Sequence, residues 1–228
     1  MRVSSEFSKN AIHYDSYNSV QNRVIDKLLE SVKYTPNYIL DLGCGSGALC
    51  EKIDWKYKHF VGVDFAPGML ELHPKSKKIE AIYGDFNDEN LFDNLQTFKF
   101  EHIFSASALQ WATDLEKVFK NIASLEVPIS LAIFTSRTFK TLTETAGLES
   151  LLRDKEEIDS LQQRYFDGNF EVLNYKLEFD NVRDMFKYIK KSGVSGSRNV
   201  LSFKETKKLM QEYSLNYLEF EVAFITSR

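Results

Sequence analysis

Residues Ile39 to Gly47 read ILDLGCGSG, an apolar run with one aspartate followed by glycine at every second position, Gly43, Gly45 and Gly47. Where a strand stops and a helix starts, glycines let the chain turn sharply and let a ligand approach more closely than any Cβ permits. The YILDL run is followed by HFVGVDF, IEAIYGDF, FEHIFSAS and ISLAIFT. All are short, rich in β-branched and aromatic residues, and separated by helix-length or loop-length segments. This alternation predicts an α/β chain with a mostly parallel sheet and helices on both faces. Two later runs, FEVLNYKLEF and YLEFEVAFI, are expected as edge strands. Val20, Val24, Leu28 and Leu29 recur at helical spacing and predict an amphipathic helix ending before Tyr38, while Val182, Met185, Phe186 and Ile189 mark a second apolar helix face.

With 228 residues, 43% of them hydrophobic and 27% charged, the chain is long enough for one domain with a sizeable core, and it has no internal repeat or linker. No apolar run approaches the roughly 20 residues needed to span a bilayer, and the start MRVSSEFSKN is polar, so a cytoplasmic protein without membrane contact is expected. Cys44 and Cys50 form no Cys/His cluster of the kind that holds zinc, and are read as free thiols with no metal. A net charge of -4 argues against broad nucleic-acid binding, which depends on Lys and Arg neutralising phosphates.

The glycine spacing is GxGxG, whereas a dinucleotide fingerprint spaces its third glycine as GxGxxG over a pyrophosphate. Asp41, two residues before the first glycine, would repel a phosphate but suits a cationic amine or sulfonium. S-adenosylmethionine carries both. A nicotinamide dehydrogenase is disfavoured on the same two grounds. Asp64 ends VGVDF about twenty residues on, where a carboxylate can accept bonds from ribose hydroxyls, and Asp85 ends IEAIYGDF one strand later. Singly, each is as readily a helix cap or a solvated turn. Together they line the edge of an open sheet where ligands sit.

ILDLGCGSG, GVDFAPGML and YGDF resemble successive motifs of class I S-adenosylmethionine-dependent methyltransferases, over Tyr38 to about Thr135. The resemblance implies a Rossmann-like fold, a seven-stranded sheet whose last strand, YLEFEVAFI, runs antiparallel, and a helical lid. It implies a single domain over 1–228, with lid helices in 1–35, a cofactor-binding core in 38–135, and a substrate lid and final strands in 136–228. It also implies that Gly43, Gly45 and Gly47 cradle the methionine part, Asp64 holds the ribose, Asp85 meets the adenine amine and Ser105 lies beneath the sulfonium. Phe65 and Phe86 would flank the adenine ring. More narrowly, FSKNAIHYDSYNSVQ, SASALQWATDL and FTSRTFKTLTE are similar to the BioC family, malonyl-acyl-carrier-protein O-methyltransferases of biotin synthesis. That likeness implies methylation of the free carboxylate of a malonyl thioester, with S-adenosylhomocysteine as co-product. It places Gln21 at the methionyl end of the cofactor, and Tyr14 and Trp111 as a hydroxyl and an aromatic wall closing the substrate pocket.

A carboxylate is already ionised near neutral pH, so its methylation needs alignment and exclusion of water rather than a general base. The expected substrate contact is an arginine, whose planar fork suits a carboxylate. Arg137, after the fifth strand, and Arg198, in GVSGSRN, are the candidates. An acidic carrier protein would dock by charge complementarity. Arg183 to Lys208 holds eight Lys/Arg against two Asp/Glu, with Lys187 and Lys191 one helical turn apart and Lys204, Lys207 and Lys208 on one helix face. Two other readings stay open: a methyltransferase for another small carboxylic acid, and a cofactor-binding regulatory or partner protein without turnover.

Overall fold

The computed structural model describes residues 19–191 and 202–227. Helices and strands alternate in the order α1 (Ser19–Ser31), β1 (Tyr38–Leu42), α2 (Ala48–Lys52), β2 (His59–Asp64), α3 (Pro67–Leu72), β3 (Ile79–Tyr83) and α4 (Glu89–Leu95). Then come β4 (His102–Ala106), a 3₁₀ turn (Leu109–Trp111), α5 (Leu115–Ala123), β5 (Ile129–Phe134), α6 (Lys140–Thr145), α7 (Lys155–Tyr165), β6 (Gly168–Glu178), α8 (Val182–Lys191), α9 (Phe203–Glu212) and β7 (Tyr217–Ser227). Among these residues no helix is long and apolar enough to cross a membrane.

The strands form one seven-stranded sheet in the order β3-β2-β1-β4-β5-β7-β6. β1, β2, β3, β4 and β5 pair in parallel, and β7 runs antiparallel to both β5 and β6. The antiparallel direction of YLEFEVAFI is the one expected, but its place is not: β7 lies inside the sheet and only β6 takes the edge. The side chains explain the difference. β7 is apolar on both faces, with Phe220, Val222 and Phe224 buried on one and Ala223 and Ile225 on the other, so both faces need cover. β6 alternates between exposed and half-buried positions, which suits an edge.

Two cores sandwich the sheet. On one face, Leu115, Val118, Phe119 and Ile122 of α5 pack with Leu91, Phe92 and Leu95 of α4 and with Ile158 and Leu161 of α7. The apolar positions of α5 recur three and four residues apart, so they form a single stripe, and Asp114 caps its start by accepting from the Lys117 N–H. Burying each such side chain contributes about 1.5–3 kcal/mol. On the other face, Val20, Val24, Ile25 and Leu28 of α1 pack with Met185 and Tyr188 of α8, Leu209 of α9 and Tyr213 just after it. Chain ends distant in sequence therefore share one core.

A polar chain, buried at His102 and Ser130, pins the end of α1 to the N-terminal edge of the strands. Tyr34 Oη shares a 2.8 Å hydrogen bond with His102 Nδ1, His102 Nε2 shares one of 3.0 Å with Ser130 Oγ, and Ser130 Oγ meets Ser31 Oγ at 3.1 Å. Burial pushes the His102 pKa down from 6.5 to about 4. The unfolded chain takes up this proton near pH 6.5 and the folded chain only near pH 4. The stability linked to His102 is therefore present above pH 6.5 and lost as the pH falls to about 4, by up to about 3 kcal/mol. Denaturant unfolding from pH 7.5 to 4 should show the wild type losing stability relative to His102→Gln over this window. Parallel curves would mean that His102 is not held neutral by the fold.

Candidate functional site

The strand order reverses between β1 and β4, which leave their neighbours β2 and β5 on opposite sides, and this switch point is where ligands enter open α/β sheets. A cleft enclosing about 520 Å³ of space, solvent included, opens there. Gly43 and Gly45 line it from the loop after β1, Asp64 and Phe65 from the end of β2, Gly84 and Phe86 from the turn after β3, and Ser107, Ala108 and Trp111 from the segment after β4.

The glycines have separate tasks. Gly43 is left-handed, with φ of 79°, and a Cβ on it would stand 2.2 Å from the Ala108 Cβ, so it lets the two loops on either side of the switch point touch. Gly45 is also left-handed, at 54°, but nothing lies within 4 Å of where its Cβ would be. Its bare backbone faces the cleft. Gly47 closes the loop as the residue before α2.

Asp64 holds that loop in place. Its Oδ2 accepts from the Gly45 N–H at 2.9 Å and its Oδ1 from the Ala66 N–H at 2.8 Å. Burial raises its pKa, and the bonds from Ala66, Gly45 and Phe65 oppose the rise by favouring the charged form. A carboxylate has about four lone-pair sites, so three backbone bonds leave one for a hydroxyl donor. Asp41 is different. It is 1% exposed, and its Oδ1 and the Oε1 of buried Gln21 in α1 have no hydrogen-bond partner. Burial first, and the charge of Asp64 second, push the Asp41 pKa up to about 8. Two buried acceptors without donors suit a ligand that brings donors and positive charge, as the amino-acid end of S-adenosylmethionine does. Bare glycine backbone, lone-pair capacity on Asp64 and aromatic walls at Phe65 and Phe86 fit the rest of that molecule.

Of the residues singled out from the sequence, Gly43, Gly45, Asp64, Phe65, Phe86 and Trp111 come together in the cleft. Asp85 stands beside it, its Oδ1 accepting from the backbone and side-chain N–H groups of Asn87 at 2.9 and 2.7 Å. Ser105 is not among the residues that line the cleft. It is fully buried, and its hydroxyl donates to the Leu42 carbonyl at 2.7 Å, joining β4 to β1 while Ala106 and Ser107 line the cleft instead. Arg137 is exposed after β5. Tyr14 and Arg198 lie outside the described residues. Lys187, Lys204, Lys207 and Lys208 are exposed, Lys187 paired with Asp184 at 2.7 Å and Lys208 with Glu212 at 3.6 Å, and Lys191 ends α8. Cys44 and Cys50 are both buried and free, and no three His, Cys, Asp or Glu side chains group as a metal site among the described residues.

Sequence reasoning missed Ser107 and Met69, which line the cleft, and Asn87, which holds Thr113 beside it. Ser107 adopts a left-handed φ of 60°, which costs a non-glycine residue about 1–3 kcal/mol and which no local residue pattern announces. Asn87 carried a faint signal as the third residue of an Asp-x-Asn turn.

The Asp41 carboxyl is neutral in the fold up to about pH 8 but ionised above pH 3.8 in the unfolded chain, so its stabilising influence is complete below pH 3.8 and is lost as pH rises through 8. Asp41→Asn should therefore raise the unfolding free energy of the ligand-free protein at pH 7.5, the gain shrinking to little at pH 4. A gain independent of pH would mean that Asp41 is not held neutral.

Three comparisons bear on this site. Residues 39–128 match the family model described as a methyltransferase domain. A malonyl-[acyl-carrier protein] O-methyltransferase 1 of Ilyobacter polytropus is 30% identical over 222 residues, covering 89% of this chain and 80% of that protein. A malonyl-[acyl-carrier protein] O-methyltransferase of Bacillus cytotoxicus is 28% identical over 220 residues, covering 86% of this chain and 76% of the other. In fold, the YcgJ protein from Bacillus subtilis superposes with a TM-score of 0.62 at 12% identity, covering 90% of this chain and 99% of that one.

Proposed function

Because the chain belongs to the malonyl-acyl-carrier-protein O-methyltransferase family and is an S-adenosylmethionine-dependent methyltransferase, we propose that it methylates the free carboxylate of a malonyl thioester carried on an acyl carrier protein. The observation that carries this reading is the composition of the cleft. Asp64 is the one ionisable side chain among its described lining residues, and both its oxygens already hold backbone N–H groups. A hydroxyl or ammonium acceptor would need a base to take its proton. A carboxylate acceptor does not.

When bound, S-adenosylmethionine supplies an electrophilic methyl group on a cationic sulfur. The residues of the chain bind, orient and exclude water. Gly43, Gly45 and Gly47 shape the loop at the methionyl end, with Gln21 and Asp41 as its acceptors. Asp64 takes a ribose hydroxyl, Asp85 the adenine amine, and Phe65 and Phe86 the ring faces. Trp111 walls the acceptor side, with Tyr14 completing it. Arg137 and Arg198 are the candidates for reading the carboxylate, and Arg137 is the one whose place is described, at the C-terminal end of β5. Ser105 has a positioning role, since its bond to Leu42 keeps the β4 end against the glycine loop. Residues 38–135 act as the cofactor-binding core, and 1–35 and 136–228 as lid and closing strands of one domain. The methyl ester would mask a dicarboxylic acid as an ordinary acyl chain, which suits an early step of biotin synthesis in the cytoplasm.

Methyl transfer from labelled S-adenosylmethionine, followed by intact mass, tests the reading. Malonyl-carrier protein should gain one methyl group and acetyl-carrier protein none. Transfer to free malonate alone would favour the small-acid reading, and cofactor binding without transfer to any malonyl compound would favour the non-catalytic one. The basic stretch that includes α8 and α9 is the proposed carrier contact. Reversing the charges of Lys204, Lys207 and Lys208 should raise the KM for the carrier-bound substrate but leave malonyl-coenzyme A unaffected; equal effects on both would place docking elsewhere.

A further inference from the structure

Trp111 reaches the cleft from a short segment that belongs to no long element, and it is anchored from two sides. On the cofactor side, the Thr113 N–H donates to Asn87 Oδ1 at 2.8 Å, and Asn87 is itself held by Asp85. On the far side, Arg153 Nη2 donates to the Ala112 carbonyl at 3.0 Å and to the Thr113 carbonyl at 3.2 Å. Arg153 Nε faces Glu157 Oε1 at 3.2 Å, and the Arg153 carbonyl accepts from the Ser136 N–H at 2.8 Å. One residue thus joins the Trp111 segment, the chain leaving β5 and the start of α7.

Helix energetics do not account for Arg153. It immediately precedes Asp154, the N-cap of α7, where the helix dipole disfavours a cation. Its side chain is 21% exposed, so it is drawn in rather than solvated. Its Nη2 meets both carbonyls while its Nε faces Glu157, so one planar group with donors in fixed directions serves the segment and the helix together.

We propose that Arg153 is a positioning residue that sets Trp111 as the acceptor-side wall and thereby determines how tightly the acyl substrate is held. This rests on the acceptor role given to Trp111 above. Asn87 anchors the same segment toward the cofactor, so loss of Arg153 frees the acceptor side while the cofactor side stays tied. Binding of acceptor and of cofactor should then respond differently.

The test compares wild type, Arg153→Met and Arg153→Lys. For methyl transfer to malonyl-carrier protein, Arg153→Met should raise KM at least fivefold with kcat and the S-adenosylmethionine Kd within twofold of wild type, and Arg153→Lys should fall between. The chain has two tryptophans. In a Trp55→Phe background, fluorescence therefore reports Trp111 alone, and Arg153→Met should make it more readily quenched by acrylamide. If Arg153→Met does not fold, the lysine variant carries both readouts. An unchanged KM, or a cofactor affinity that weakens in step with KM, overturns the proposal. Unchanged quenching overturns it too. A wild type that transfers no methyl to any malonyl thioester overturns the functional reading instead, while the quenching still reports whether Arg153 positions Trp111.

Discussion

The carboxylate of Asp64 ties together the two loops on which the cleft depends. With one oxygen it fixes the Gly45 N–H, in a loop where three of the five residues are glycine, and with the other the Ala66 N–H, at the entry to α3. A glycine loop alone loses more conformational entropy on ordering than any other segment of equal length. The two charge-assisted bonds offset part of that cost, at about 1.5–3 kcal/mol each. The β-strands set where Asp64 stands, since it pairs with Tyr83 in β3 and follows Val63, whose carbonyl accepts from the Gly43 and Cys44 N–H groups.

The same edge carries a cost. Asp41 and Asp64 are both nearly buried, and the charge of one raises the pKa of the other. Such a pair contributes nothing to folding that an apolar pair would not exceed. It persists because the two apolar faces of the sheet, one closed by α4, α5 and α7 and the other by α1, α8 and α9, supply the stability. The His102 chain lies at the opposite edge of the sheet. Between about pH 4 and 6.5 its linkage opposes that of Asp41, one losing stability with acid and the other gaining it, so the wild-type curve there conceals both.

Most of the architecture was legible because buried parallel strands leave a simple trace. YILDL and ISLAIF are apolar on both faces, and the glycine loop announces where the first of them stops. The place of β7 was not legible. An apolar strand at the end of a chain reads alike whether it closes a sheet or lies inside one, and only β6, with its polar alternation, settles which is covered. At the site, spacing to a strand end located Asp64. Ser105 was placed by the family resemblance alone, and its hydroxyl is directed at the Leu42 carbonyl while its strand neighbour Ala106 lines the cleft. Arg153 left no trace, since its role comes from the chain returning to Ala112 and Thr113 from about forty residues away.

On the function proposed, cofactor and acceptor meet at a seam rather than in a bowl. On one side lie β1, β2 and β3 with loops stiffened by carboxylates, and on the other β4 and β5 with a segment that has few intrinsic restraints. Beyond the paired strands β1 and β4, the loops of the two sides touch at Gly43 against Ala108, where a Cβ on Gly43 has no room. Methyl transfer requires the attacking oxygen, the methyl carbon and the sulfur in line, so an ångström of slack across that seam is costly. The tethers through Asn87 and Arg153 restrain it from both sides. This explains why so small a segment, Ser107 to Thr113, holds a strained residue, the aromatic wall and both anchoring carbonyls at once.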